Sequence, residues 1–145
     1  MQAIHGVRGD HNGAAAHQTV LAHSYGTVVA GIAAKEHGLN ADDLILVASP
    51  GIPVDHVTDL HLDGVREGYQ ALHTYAITSP DDWIQQWVQY VGGDHGINPA
   101  DPLDPVAFGG QILHDDNGSR DEHNGYFDEG TASLARLGRI IAPPA

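Results

Sequence analysis

The run Asp43-Leu-Ile-Leu-Val-Ala48 is almost wholly apolar, and Ser49-Pro50-Gly51 stops it. A run this short reads as a strand, and a strand apolar at nearly every position must be covered on both faces. That condition calls for a parallel sheet with helices on both sides. The neighbouring segments agree. Gln18 to His23 (QTVLAH) reads as a short buried strand, and Gly26 to His37 (GTVVAGIAAKEH) as a small-residue helix closed by Gly38 just past its cap. A third strand, His73 to Thr78, ends at Ser79-Pro80. Trp83 to Val91 (WIQQWVQYV) then reads as a helix capped by Asp81 or Asp82; Trp83, Trp87 and Tyr90 could line a pocket, but a core stripe is the more frequent role and is expected here. Pro53 to Gln70 mixes helix and loop. A weak strand at Gln111 to Leu113 leads into a polar loop, Asp115 to Asn124. The chain closes with an amphipathic helix, Thr131 to Ile141, whose Leu134, Leu137 and Ile141 share a face before Pro143 and Pro144. Met1 to His17 shows no period and is expected to be irregular, leaving residues 18–145 to carry the fold. The predicted class is α/β, with a parallel sheet of about four strands flanked by helices.

At the turn from the first strand into the first helix stands Ala22-His23-Ser24-Tyr25-Gly26, of the form small-x-Ser-x-Gly. A nucleophile elbow strains its serine backbone, so the positions two before and two after are expected to be small. The following helix would aim its first amides at the serine, with the Tyr25 N–H as one oxyanion donor. A serine that merely caps a helix would look similar, but the strand before and helix after are what the elbow requires.

A serine hydroxyl needs a histidine base, and the histidine needs a carboxylate to orient it. The acid is expected after a later strand. Asp82 is preferred, because Asp82-Trp83-Ile84 has the form Asp, one residue, aliphatic; Asp81 is its rival and Asp55 a third choice. With 11 histidines in the chain, position must select the base. His123 lies in the loop before the closing helix, where the base of such a fold belongs, whereas His114 and His95 lie too near the last strand or before it.

Composition removes other classes. The 19 Asp and Glu against 6 Lys and Arg give a formal net charge of -13, which repels nucleic acid and anionic membranes. Without cysteine there is no disulfide, thiolate metal site or Cys nucleophile. The longest mainly apolar stretch, Val20 to Ala34, is too short and polar to span a bilayer, and no signal peptide is visible, so a soluble protein is expected, with the cytoplasm favoured. His56, Asp59, His61 and Asp63 cluster, and Asp115-Asp116-Asn117-Gly118 resembles part of a calcium loop. Arg120 stands where that loop needs glycine, so no metal site is expected.

From Thr19 onward the chain resembles the actinobacterial α/β-hydrolases of a domain-of-unknown-function family. Members pair a His-Ser-Tyr-Gly elbow with a late His-x-x-Tyr-Phe, here His23-Ser24-Tyr25-Gly26 and His123-Asn124-Gly125-Tyr126-Phe127. His95-Gly96 and Phe108-Gly109-Gly110 fall between them in the same order. The resemblance implies a partial α/β-hydrolase fold and a Ser24, Asp82, His123 triad. It implies no cofactor, and a small-molecule ester or amide as substrate. The usual first elbow glycine is Ala22 here. Such enzymes also take a second oxyanion donor from a loop well upstream of the nucleophile, and too few residues follow His5-Gly6 to build one. The chain therefore reads as the C-terminal half of a hydrolase with early strands missing. Two functions are expected of it: a serine hydrolase, weak or inactive in this form, or a catalytically silent module for binding or assembly. The strand Thr19 to His23 would have an open edge, a route to a homo-oligomer.

Overall fold

A computed structural model of the chain describes residues 10–11, 14–85, 96–101, 103–115 and 123–145. His5-Gly6, Trp87, Tyr90, His95 and the Asp116 to Gly118 segment lie outside them. In chain order the elements are β1 (Asp10–His11), β2 (Ala14–Ala15), β3 (Thr19–His23), α1 (Gly26–Glu36), β4 (Asp43–Val47), β5 (Thr74–Ile77), β6 (Gln111–Leu113) and α2 (Ala132–Ile141). Short 3-10 turns add Val57–Asp59, Gln70–Leu72 and Gly125–Phe127.

Strands β3, β4, β5 and β6 form one parallel sheet in that order. Thr19 pairs with Asp43, Leu44 with Thr74, and Tyr75 with Gln111, so the carboxyl ends of all four lie together. The apolar run of β4 is now explained. All five of its residues are buried, with Leu44 and Leu46 on one face and Ile45 and Val47 on the other. The first pair joins Ala30 and Ala34 of α1 and Ile52, Val57, Leu60 and Phe108. The second joins Ile77, Ile84, Tyr126 and Leu137 of α2. A four-strand parallel sheet flanked by helices is the α/β architecture expected, with the strand set of part of an α/β-hydrolase.

Three expectations change in detail. Within the N-terminal segment, expected to be irregular, β1 and β2 pair antiparallel as a small hairpin. In α2 the buried positions are Ser133 and Leu137, with Ile140 partly buried, whereas Leu134 and Ile141 are exposed. The buried face thus centres on Ser133 and Leu137, where Ser133 Oγ donates to the Tyr126 carbonyl at 3.1 Å. Third, residues 83–85 begin the helix expected after Pro80, but Trp83 is 50% exposed and so is no core residue.

Among the described residues β3 is an edge strand, paired only with β4. Its start is tied down by polar contacts. Asp42 accepts the Gln18 N–H, and the two oxygens of Asp43 bond His17 Nε2 at 2.6 Å and His73 Nδ1 at 3.0 Å. A cavity of about 420 Å³ beside Arg66, Tyr69 and His73 opens at this amino-terminal end, opposite the serine.

Candidate active site

The chain leaves β3 through a tight turn in which Ser24 has φ +56°, left-handed for a non-glycine residue. Two hydrogen-bonded sets hold that conformation. The Ser24 N–H donates to the Val47 carbonyl at 2.8 Å, extending the β3–β4 ladder by one step. On its other side the Ser24 carbonyl accepts from the Thr27 N–H and, at 2.7 Å, from the Thr27 hydroxyl. Since the Thr27 proton is used there, Ser49 Oγ donates to Thr27 at 2.7 Å and itself accepts the Gly51 N–H. Thr27 and Ser49 are both buried. Tyr25 is the N-cap residue of α1 and has no side-chain cap bond, so Ser24 is not acting as a helix cap. Ala22 is buried as the elbow demands, but a Cβ on Gly26 would meet nothing within 4 Å, so crowding does not account for that glycine.

Asp82 and His123 reach Ser24 from the segment after β5 and the segment before α2. Asp82 follows β5 after Ser79-Pro80, is fully buried, and accepts the Ile84 N–H at 2.9 Å. That bond caps the helical turn at 83–85, so capping and orienting a histidine fall to one carboxylate. His123 Nδ1 lies 2.9 Å from Asp82 Oδ1 and 3.1 Å from Oδ2, and its Nε2 lies 2.9 Å from Ser24 Oγ. Ser24, His123 and Asp82 therefore form one continuous hydrogen-bonded line across the carboxyl ends of β3 and β5.

The rival candidates fall elsewhere. Asp81 is exposed, its amide facing Ser79 Oγ at 3.4 Å. Asp55 is exposed and its amide bonds Asp59 Oδ2, in a turn where His56 and Asp59 cap each other. His114 is exposed just after β6. Among the described residues no group of three or more His, Asp and Glu converges to hold a metal ion.

Three residues at the site were not assigned from the sequence. His23 Nε2 donates to the His123 carbonyl at 2.8 Å, with the two rings 5.1 Å apart. Trp83 packs its ring 4.5 Å from His123. Tyr126 donates its hydroxyl to Asp82 Oδ2 at 2.7 Å and accepts the Ser79 N–H at 2.7 Å. Burial, then the bond to Asp82, pushes the Tyr126 phenol well above its ordinary value, with the Asp82 and Asp115 charges adding to this and the Ser79 amide opposing it. The three-residue spacing from His123 to Tyr126, folded into the Gly125–Phe127 turn, is the sequence signal that could have placed Tyr126 here.

The comparisons agree with this architecture. Residues 2–92 match the model of an alpha/beta hydrolase family, more than half of the chain, and the chain belongs to that family. The match begins ahead of Thr19, so it takes in the N-terminal segment as well as the elbow and Asp82; His123 lies beyond it. Two uncharacterized proteins of Mycobacterium tuberculosis, MT2140 of strain CDC 1551 / Oshkosh and Rv2079 of strain ATCC 25618 / H37Rv, are each 28% identical over 152 residues. These alignments take in 96% of this chain and 23% of each relative, so the chain spans about a quarter of the length of the curated relatives it matches. No solved structure matches it significantly. No helix among the described residues is long and apolar enough to cross a membrane.

Proposed function

We propose that the chain is a serine hydrolase that cleaves an ester or amide through an acyl-enzyme. The observation that carries this reading is the line from Ser24 Oγ to His123 Nε2 at 2.9 Å and from His123 Nδ1 to Asp82 at 2.9 Å. In the first step Ser24 Oγ attacks the substrate carbonyl carbon while its proton passes to His123 Nε2, and the carbonyl oxygen becomes an oxyanion. Asp82, a buried acceptor, offsets the charge that appears on the imidazole. The oxyanion faces the start of α1, where the Tyr25 N–H is the donor adjacent to Ser24. Collapse expels the alcohol or amine, which takes the proton from His123. Water then repeats the sequence on the acyl-serine, releasing the acid and restoring Ser24. The net charge of -13 favours neutral substrates over anionic ones.

A fluorophosphonate probe tests the reading directly, because it reacts only with an activated serine. Labelling of the wild type that disappears in Ser24→Ala is the expected result. A wild type that stays unlabelled would overturn the proposal and leave a hydrolase fold without the reaction.

A further inference from the structure

We propose that Tyr126 is a positioning residue of this site, fixing from the protein interior the direction of each hydrogen bond between the Ser79 amide and the Ser24 hydroxyl. The inference rests on the serine hydrolase reading above.

The argument is one of donors and acceptors. A phenol has a single proton and can also accept. The Ser79 N–H can only donate, and at 2.7 Å it occupies the accepting side of Tyr126 Oη. The phenol proton is thereby committed to Asp82 Oδ2, also at 2.7 Å. Asp82 then has the Ile84 N–H on Oδ1 and the Tyr126 O–H on Oδ2, which leaves it an acceptor toward His123 as well. His123 Nδ1 must carry the proton that faces it, and Nε2 is left bare to accept the Ser24 hydroxyl. That tautomer is the one a base requires, and the opposite one is inactive. Water cannot substitute for the links from Ser79 through Tyr126 to Asp82, since these three residues are 1%, 2% and 0% exposed.

Tyr126 is also built to stay in place. Its ring packs in the cluster of Ile45, Val47, Ile77 and Leu137, and Ser133 Oγ holds its carbonyl. Without the hydroxyl, Asp82 Oδ2 keeps only its 3.1 Å contact with His123 Nδ1, and among the described residues the Ile84 N–H on Oδ1 is the one remaining protein bond that holds the carboxyl toward His123.

The test is Tyr126→Phe, which keeps the ring and removes only the hydroxyl. With folding checked by circular dichroism, the rate of fluorophosphonate labelling at Ser24 should fall by about ten- to a hundredfold, the range for losing a hydrogen bond to a charged group. On a short ester the loss should appear in kcat and not in KM, because Tyr126 does not touch substrate. Nitrogen NMR of the His123 ring should change from the Nδ1-protonated tautomer to a mixture. In an Asp82→Asn background the same substitution should add almost nothing, since both act through one carboxylate. Ser133→Ala, which loosens Tyr126 without touching its hydroxyl, should lower stability and leave the tautomer as it was. The proposal is overturned if Tyr126→Phe keeps the wild-type rate and tautomer, if its effect multiplies with that of Asp82→Asn, or if Ser133→Ala mimics it. An unreactive Ser24 in the wild type would sink the hydrolase reading alone, because the tautomer measurement still decides the role of Tyr126.

Discussion

His23 Nε2 sits 2.8 Å from the carbonyl oxygen of His123, so the residue just before the elbow serine grips the main chain of the residue facing that serine. The consequence is that β3 and the loop before α2 cannot move apart without breaking this bond. His23→Ala should therefore slow labelling of Ser24 by about tenfold, the effect of one ordinary hydrogen bond at the upper end of its range. His23→Gln, which retains a donor, should recover part of the loss. Equal rates for His23→Ala and wild type would show that the loop is held by other contacts.

The three residues of the hydrogen-bonded line should differ sharply from their neighbours. Ser24→Ala and His123→Ala should each cut ester turnover by about three orders of magnitude or more. Asp82→Asn should cost more than Asp81→Asn, since only Asp82 bonds His123. Measured kcat values for the four variants check the ranking. His114→Ala should behave as wild type.

The buried relay behind the elbow predicts a stability effect distinct from catalysis. Thr27→Val keeps the volume but leaves the Ser49 hydroxyl proton without its acceptor and the Ser24 carbonyl with only the Thr27 N–H. Leaving a buried donor unpaired costs about 1–3 kcal/mol. Urea unfolding should show a lower midpoint with an unchanged slope.

Alkaline pH gives a further test. The Tyr126 phenol is raised from 10.0 in the folded protein, so the native state holds its proton more tightly than the unfolded chain does. The stability this supplies is fully present below pH 10, the unfolded value, and is lost as pH rises through the folded value. Stability against urea should thus fall more steeply above pH 10 in the wild type than in Tyr126→Phe. Parallel pH profiles for the two would mean that Tyr126 ionises as freely folded as unfolded. Tyr75, which burial and Asp43 also raise, contributes equally to both proteins.

Strands β3 and β4 were legible because β4 is apolar on both faces and β3 turns into α1 through a small-x-Ser-x-Gly segment, both local signals, whereas the short β1–β2 hairpin carries no such pattern. Asp82 was legible for a similar reason, lying immediately after a strand ended by Ser79-Pro80. The roles of His23 and Tyr126 were not. Each acts on a residue distant in the chain, His23 on His123 and Tyr126 on Ser79 and Asp82, and such contacts exist only once the sheet has brought strand ends together. Of the two roles open to Trp83, the rarer one holds: an aromatic stripe on a helix usually packs inward, whereas here the first turn of the helix opens onto the site.

That placement of Trp83 equips the molecule with an optical reporter. Its indole lies 4.5 Å from the His123 ring and is half open to solvent. An indole face attracts a cation at this distance more than it does a neutral ring, so its emission responds to the charge on the imidazole. Subtracting the fluorescence of Trp83→Phe removes the background of Trp87. The remaining signal, followed against pH or during the millisecond after mixing with an ester, would watch the proton arrive on His123 and leave it, with no label attached.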